Sequence, residues 1–239
     1  MFNDYTGVST PNFSEIGFNE TFAAVLRRVY TWMALGLLLT AGLAAVVSVS
    51  PLSQILAGQP LIFIGLLIAE LGLVIGLSWG INRLSPGMAI LLFFAYAALN
   101  GLTFSVLFMV YTLGSVAYTF FATAALFGAM SILGYTTKMD LSRVGSFLFM
   151  GLIGLIIAML VNMFWANTAL GWIVTFVGIL LFLGLTVYDT QRIKRMTAAT
   201  LQSGNENVQA SMGILGALAL YLDFINLFLF ILQLGGRRR

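Results

Sequence analysis

Long apolar runs alternate along this chain with short polar clusters. Val29–Val49, Leu61–Ile81 and Met212–Leu234 are each long enough to cross a hydrocarbon core of ~30 Å as a helix rising ~1.5 Å per residue. From Leu84 to Thr137 no residue is charged. That stretch is too long for one span and fits two joined by a tight turn near Leu113–Ser115, with Pro86 opening the first as an N-terminal helix proline. From Val144 to Tyr188 charge is again absent, with a polar break at WANTALGW. The break predicts a fifth span over Val144–Trp165 and a sixth over Ala169–Tyr188, with Trp165 and Trp172 as interface anchors. The charged run DTQRIKRM and the polar QSGNEN then read as a loop before the last span. Seven spans result, and apolar runs of this length predict an all-α membrane bundle, since barrel strands alternate polar and apolar over shorter segments.

Composition makes the same point from another side. The 239 residues are 60% hydrophobic and 8% charged, with a mean hydropathy of +1.02. No soluble domain of this size can hide so much apolar surface. Residues 1–26 read as a polar cytosolic tail without the basic region and cleavage site of a signal peptide. Residues 27–236 form one seven-helix membrane domain, and 237–239 a basic tail. With the N-terminus inside, the cytosolic edges hold Arg27, Arg28, Arg83, Lys138, Arg143, Arg192, Lys194 and Arg195, and the outer loops hold no basic residue. The exception is the final GGRRR, which seven spans place outside. The alternative is a last segment that fails to exit, leaving both ends inside.

The absence of cysteine removes disulfides and thiolate chemistry, and the absence of histidine removes the usual near-neutral switch and the commonest metal ligand. A net charge of +3, spread over loop edges, gives no nucleic-acid signal. Attention therefore falls on the acids. Only eight residues are acidic, and Glu70, Asp189 and Asp223 lie within spans or at their edges. Asp223 is about 16 Å from Met212 along a helix, near the bilayer midplane, with Asn226 one turn later on the same face. A charge at that depth costs several kcal/mol, so it must face protein, water or an ion. Acids without a matching Lys or Arg at their depth point to cation handling, of protons or metal ions. Carboxylate oxygens are hard ligands, which favours calcium. Neighbouring carboxylates also resist ionising together, so a pair holds a cation at higher pH and protons at lower pH.

Each acid has a plainer structural reading. Asp223 could tie helices together as a hydrogen-bonded neutral acid, and Glu70 could be a packing residue. Asp189 could pair with Arg192 one turn on. Arg83 could be an interfacial anchor, and Gly72, Gly76 and Gly80, four residues apart, could allow close helix packing. Counting from Trp172 puts Asp189 about 25 Å along its helix, which leaves it roughly 10 Å from the depth of Asp223. Spacing alone does not pair them.

The last span, ALALYLDFINLFLFILQL, is very similar to the seventh-helix motif of the Bax inhibitor-1 (transmembrane Bax-inhibitor-motif) family. VYDTQ at Val187–Gln191 resembles the acidic end of that family's sixth helix. RRVY at Arg27–Tyr30, the central Glu70 and the Lys138–Asp140 loop support the resemblance, which spans roughly residues 20 to 234. It implies a bacterial-type member of the inner membrane and a bundle in which six helices surround the last. It also implies a pH-sensitive calcium leak governed by Asp189 and Asp223, with Ca²⁺ and protons as the species handled and no cofactor. Asn226 and Tyr188 are then supporting polar groups, Glu70 a further position along the path, and Arg83 the latch that meets Asp189 in a closed form.

Other classes of membrane protein share parts of this pattern. An intramembrane aspartyl protease also carries two aspartates on its sixth and seventh helices. Here Tyr188-Asp189 fits, but Tyr221-Leu222-Asp223 lacks the Gly-x-Gly-Asp glycines and no Pro-Ala-Leu element is present. A retinal photoreceptor needs a Schiff-base lysine that the last span does not have. The expectation is therefore a protein that is not an enzyme. The remaining alternative is a regulator that binds another membrane protein, such as a membrane protease or a death-pathway protein. No nucleotide-binding motif is present to drive a pump, so flux would be passive.

Overall fold

The computed structural model describes residues 13–80, 84–203 and 206–238. The described residues form helices α1 (Phe13–Ser48), α2 (Pro51–Gly58), α3 (Pro60–Gly80), α4 (Pro86–Ser105), α5 (Leu107–Val110), α6 (Leu113–Thr136), α7 (Ser142–Trp165), α8 (Thr168–Ser203) and α9 (Glu206–Gly235). Seven stretches among them are long and apolar enough to span a membrane: Phe22–Ser48, Pro60–Gly80, Pro86–Val110, Leu113–Thr136, Ser142–Trp165, Thr168–Ala198 and Gly213–Gly235. The protein is an all-α, multi-pass membrane protein.

Several boundaries differ from the sequence reading, each for a local reason. The turn between the third and fourth spans is at Tyr111 and Thr112, just before the expected site. Thr112 is the N-cap of α6, its side chain accepting from the Ser115 N–H at 3.3 Å, so Leu113–Ser115 become the first helical turn. Pro86 does open α4, behind the Ser85 N-cap. Helix α1 begins at Phe13, inside the stretch expected to be a tail, and Phe22 and Leu26 are buried in the core. Helix α8 continues through DTQRIKRM to Ser203, where a loop was expected. Charge marks where a chain leaves the apolar layer, but backbone hydrogen bonds carry a helix on into water.

The last span is the axis of the bundle: 67% of its most apolar window is buried, against 6% for α3. Helices α1, α4, α6 and α8 flank α9 directly, whereas α3 packs along α4 and α7 along α8. The centre is therefore α9 as expected, but four helices contact it closely and α3 and α7 form an outer layer. Lipid supplies no hydrophobic drive between helices, so close approach and interhelical hydrogen bonds hold them. Gly101 admits Leu43 and the Thr40 carbonyl, and Gly134 admits the Val187 carbonyl, at separations a side chain would close. Gly72 and Gly76, read from their spacing as packing glycines, face open space, and Gly80 meets only Leu84. Their helix has one long neighbour, α4, and the glycines do not face it.

A buried polar hub ties three helices at mid-bundle. The Thr40 hydroxyl of α1 lies 2.7 Å from the Tyr221 hydroxyl of α9 and 2.8 Å from the Ala97 carbonyl of α4. Phe93 and Tyr96 meet the Tyr221 ring edge-on at 5.7 Å. The two ends of the bundle are also distinct. Arg195 reaches Asp140 at 3.1 Å, Lys194 lies over the Phe22 ring, and Arg28 approaches Gly213, which gathers the basic residues of α1, α8 and the α6–α7 loop at one end. At the other end, the chain after α9 folds onto Tyr111–Ser115. Helix α9 therefore runs the length of the bundle, from the basic end to the opposite one.

Candidate functional site

Four helices leave a cavity of about 1360 Å³ between them, floored by α8 and α9 and walled by α3 and α7. Glu70, Tyr188, Asp189, Arg192, Asp223 and Asn226 all line it. The cavity joins the three acids that the sequence leaves on separate spans. The depth mismatch between Asp189 and Asp223 is about halved once both are counted from the adjoining helix ends: α8 runs on to Ser203 and α9 begins at Glu206, so the two positions differ in depth by about 5 Å. The two carboxylates share that cavity.

Their surroundings differ. Asp223 is 4% exposed, and its Oδ2 has no hydrogen-bond partner among the described residues. The hydrogen-bonded tie between helices is therefore not made through that oxygen. Buried polar atoms are almost always satisfied, so an orphaned carboxylate oxygen beside a cavity marks a place for water or a cation. Asp189 is less enclosed, and the Arg192 guanidinium is 3.8 Å from its Oδ1. That i,i+3 pair is at the outer limit of an ion pair, and Arg192 is more than half exposed. The expected latch, Arg83, lies outside the described residues. Among them, Arg192 of the same helix is the cation beside Asp189.

Glu70 accepts a hydrogen bond from the Thr103 hydroxyl, which joins α3 to α4 and leaves Glu70 half-buried at the cavity wall. It is thus both a packing residue and a lining residue. Asn226 donates one amide N–H to the Leu222 carbonyl at 2.8 Å, which orients its side chain along its own helix where it lines the cavity. The Tyr188 ring packs against Gly145 of α7 and beneath the Arg195 guanidinium, 5.7 Å from the ring centre. Sequence reasoning missed Thr103 and Thr40. An isolated threonine in an apolar span is a weak signal, because its hydroxyl can return to its own helix carbonyl as Thr123 and Thr186 do here. No three acidic side chains converge as a metal cage among the described residues. Two carboxylates in one cavity and a third along its wall can attract a cation without caging it.

The family model described as "Inhibitor of apoptosis-promoting Bax1" matches residues 23–239. The inner membrane protein YbhL of Escherichia coli strain K12 is 50% identical over 215 residues, covering 90% of this chain and 92% of that protein. Protein RP147 of Rickettsia prowazekii is 42% identical over 238 residues, 99% of both chains. A Borreliella burgdorferi protein is 42% identical over 90% of this chain and 92% of its own length. A family match over residues 23–239, with relatives 42–50% identical over nine-tenths of the chain or more, makes this chain a member of the Bax inhibitor-1 family.

Proposed function

We propose that the protein is a passive, pH-sensitive calcium leak. The observation that carries this reading is the meeting of Asp189, Asp223 and Glu70 in one cavity, with the innermost carboxylate oxygen unpartnered. Family membership supports it, because family members are associated with pH-sensitive calcium leak. Deprotonated at higher pH, the Asp189–Asp223 pair attracts Ca²⁺ into the cavity, and Glu70 and Asn226 extend the row of oxygens. Protonation at lower pH removes that attraction, and a basic latch at Asp189 has the same effect. The latch is Arg83 or Arg192, the latter already beside the carboxylate. Calcium normally takes six to eight oxygen ligands. A site with fewer protein oxygens leaves water to complete the shell, and such loose binding suits release on the far side.

The family description favours a second reading, regulation of a membrane-protein partner. The two separate experimentally. Calcium entry into liposomes containing the purified protein is followed on either side of neutral pH for the wild type and Asp223→Asn. The leak reading expects a pH-dependent flux that changes strongly in the variant. Flux no greater than in empty liposomes at every pH refutes it and leaves the regulatory reading, in which the acid variants keep full activity.

A further inference from the structure

The end of the bundle opposite the basic cluster carries an unusual charge. Its connections, residues 49–59, 106–112 and 166–167, contain no acidic or basic residue. Among the described residues, the charges there follow α9 directly, at Arg237 and Arg238, and both side chains are exposed. Neither forms an ion pair among the described residues. The backbone that bears them is nonetheless fixed. The Gly236 N–H donates to the Leu232 carbonyl at 2.8 Å, closing α9. The Thr112 N–H then donates to the Arg237 carbonyl at 3.1 Å, and the Arg237 N–H donates to the Ser115 hydroxyl at 2.9 Å. Arg238 pairs antiparallel with Tyr111. Glycine is required at 236, because a Cβ there would run into the Leu232 carbonyl and the Tyr111 ring.

We propose that Arg237 and Arg238 form a binding site for the headgroup of an anionic phospholipid. The pair follows Gly235, the last residue of the final span, and so lies at the boundary of hydrocarbon and headgroups. Trp165, largely exposed at the same end, is the type of residue found at that level. With no carboxylate side chain on this face among the described residues, lipid phosphates are the anions within reach, and a guanidinium offers them two parallel N–H donors. The pinned backbone removes much of the ordering cost that a free tail would incur on binding. The site is independent of calcium conduction, and it holds whichever leaflet this end meets.

The test is native mass spectrometry of the full-length protein released from bilayers of mixed phosphatidylglycerol and phosphatidylcholine. Wild type, R237Q/R238Q and, at the opposite end, R27Q/R28Q are compared, with circular dichroism reporting folding. A surface arginine contributes about fivefold in anionic-lipid affinity, so R237Q/R238Q should lose phosphatidylglycerol adducts by at least that factor while remaining helical. Retention equal to wild type in R237Q/R238Q overturns the proposal, as does a wild type with no preference for phosphatidylglycerol. Displacement of the adducts by inorganic phosphate, beyond that by chloride at equal ionic strength, assigns the pair to free phosphate and also overturns it.

Discussion

Gly134 is where the α6–α8 contact is least able to yield. A methyl group there would stand 2.6 Å from the Val187 carbonyl oxygen and 2.9 Å from the Thr190 Cβ. Ordinary contact begins near 3.4 Å, so the helices must part by about 0.8 Å. The obstacle is backbone, which cannot swing aside as a side chain would. Overpacking of this kind costs about 1–3 kcal/mol. Gly128, on the same helix, has nothing within 4 Å of the same added atom. Gly128→Ala should therefore be neutral, or stabilising by up to about 1 kcal/mol through helix propensity. Both variants can be unfolded in mixed micelles of rising denaturing-detergent content, with helicity followed by circular dichroism. Gly134→Ala should unfold at lower denaturant. Because Val187 is two residues from Asp189, its parting should also disturb the pH response of flux. Gly134→Ala as stable as wild type, or Gly128→Ala equally damaging, would refute the claim that this glycine sets the α6–α8 distance.

Two further variants test the polar contacts. Tyr221→Phe removes the hydroxyl at Thr40 and should cost about 0.6 kcal/mol, and at most about 1.7, the range for interhelical hydrogen bonds in membranes. Thr40→Val should cost more because it also frees the Ala97 carbonyl, and in a double-mutant cycle additive losses would show that the two hydroxyls do not interact. Asp140, in the loop before α7, has its carboxyl held below the usual range by the Ser142 hydroxyl and N–H, with smaller help from Arg195 and Arg143. A carboxyl lowered on folding contributes stability above its unfolded value near pH 4 and loses it only as pH falls through the lower folded value. It stays ionised around neutrality, so Asp140→Asn should leave the midpoint of any near-neutral pH response of calcium flux in place, and a moved midpoint would place the sensor in this loop.

The span count was legible because uncharged stretches are read directly from the chain, and so was the importance of three acids in apolar surroundings. The place where α8 ends was not. DTQRIKRM looks like a loop to any reading based on charge, and counting Asp189 from Trp172 and Asp223 from Met212 set them roughly 10 Å apart in depth, about twice what the true helix ends give. The glycines of α3 misled for a related reason: their period allows close packing, but which neighbour is present is a tertiary fact. Tyr221 could be seen to need a partner, since a buried phenol usually has one. Thr40, 181 residues away in sequence, could not be identified as that partner from the sequence alone.

Helix α3 is packed on one side only, yet it forms a wall of the acidic cavity and carries Glu70. Its 21 residues make a rod of about 31 Å, close to the thickness of an average hydrocarbon core. A rod matched to its solvent stands upright, and one that is too long for a thinner membrane tilts. Because α4 is its only long support, α3 can answer such a mismatch without carrying the rest of the bundle with it. For the leak proposed above, acyl-chain length is therefore an experimental variable beside pH, and flux that changes with bilayer thickness would show that the position of α3 matters to the path.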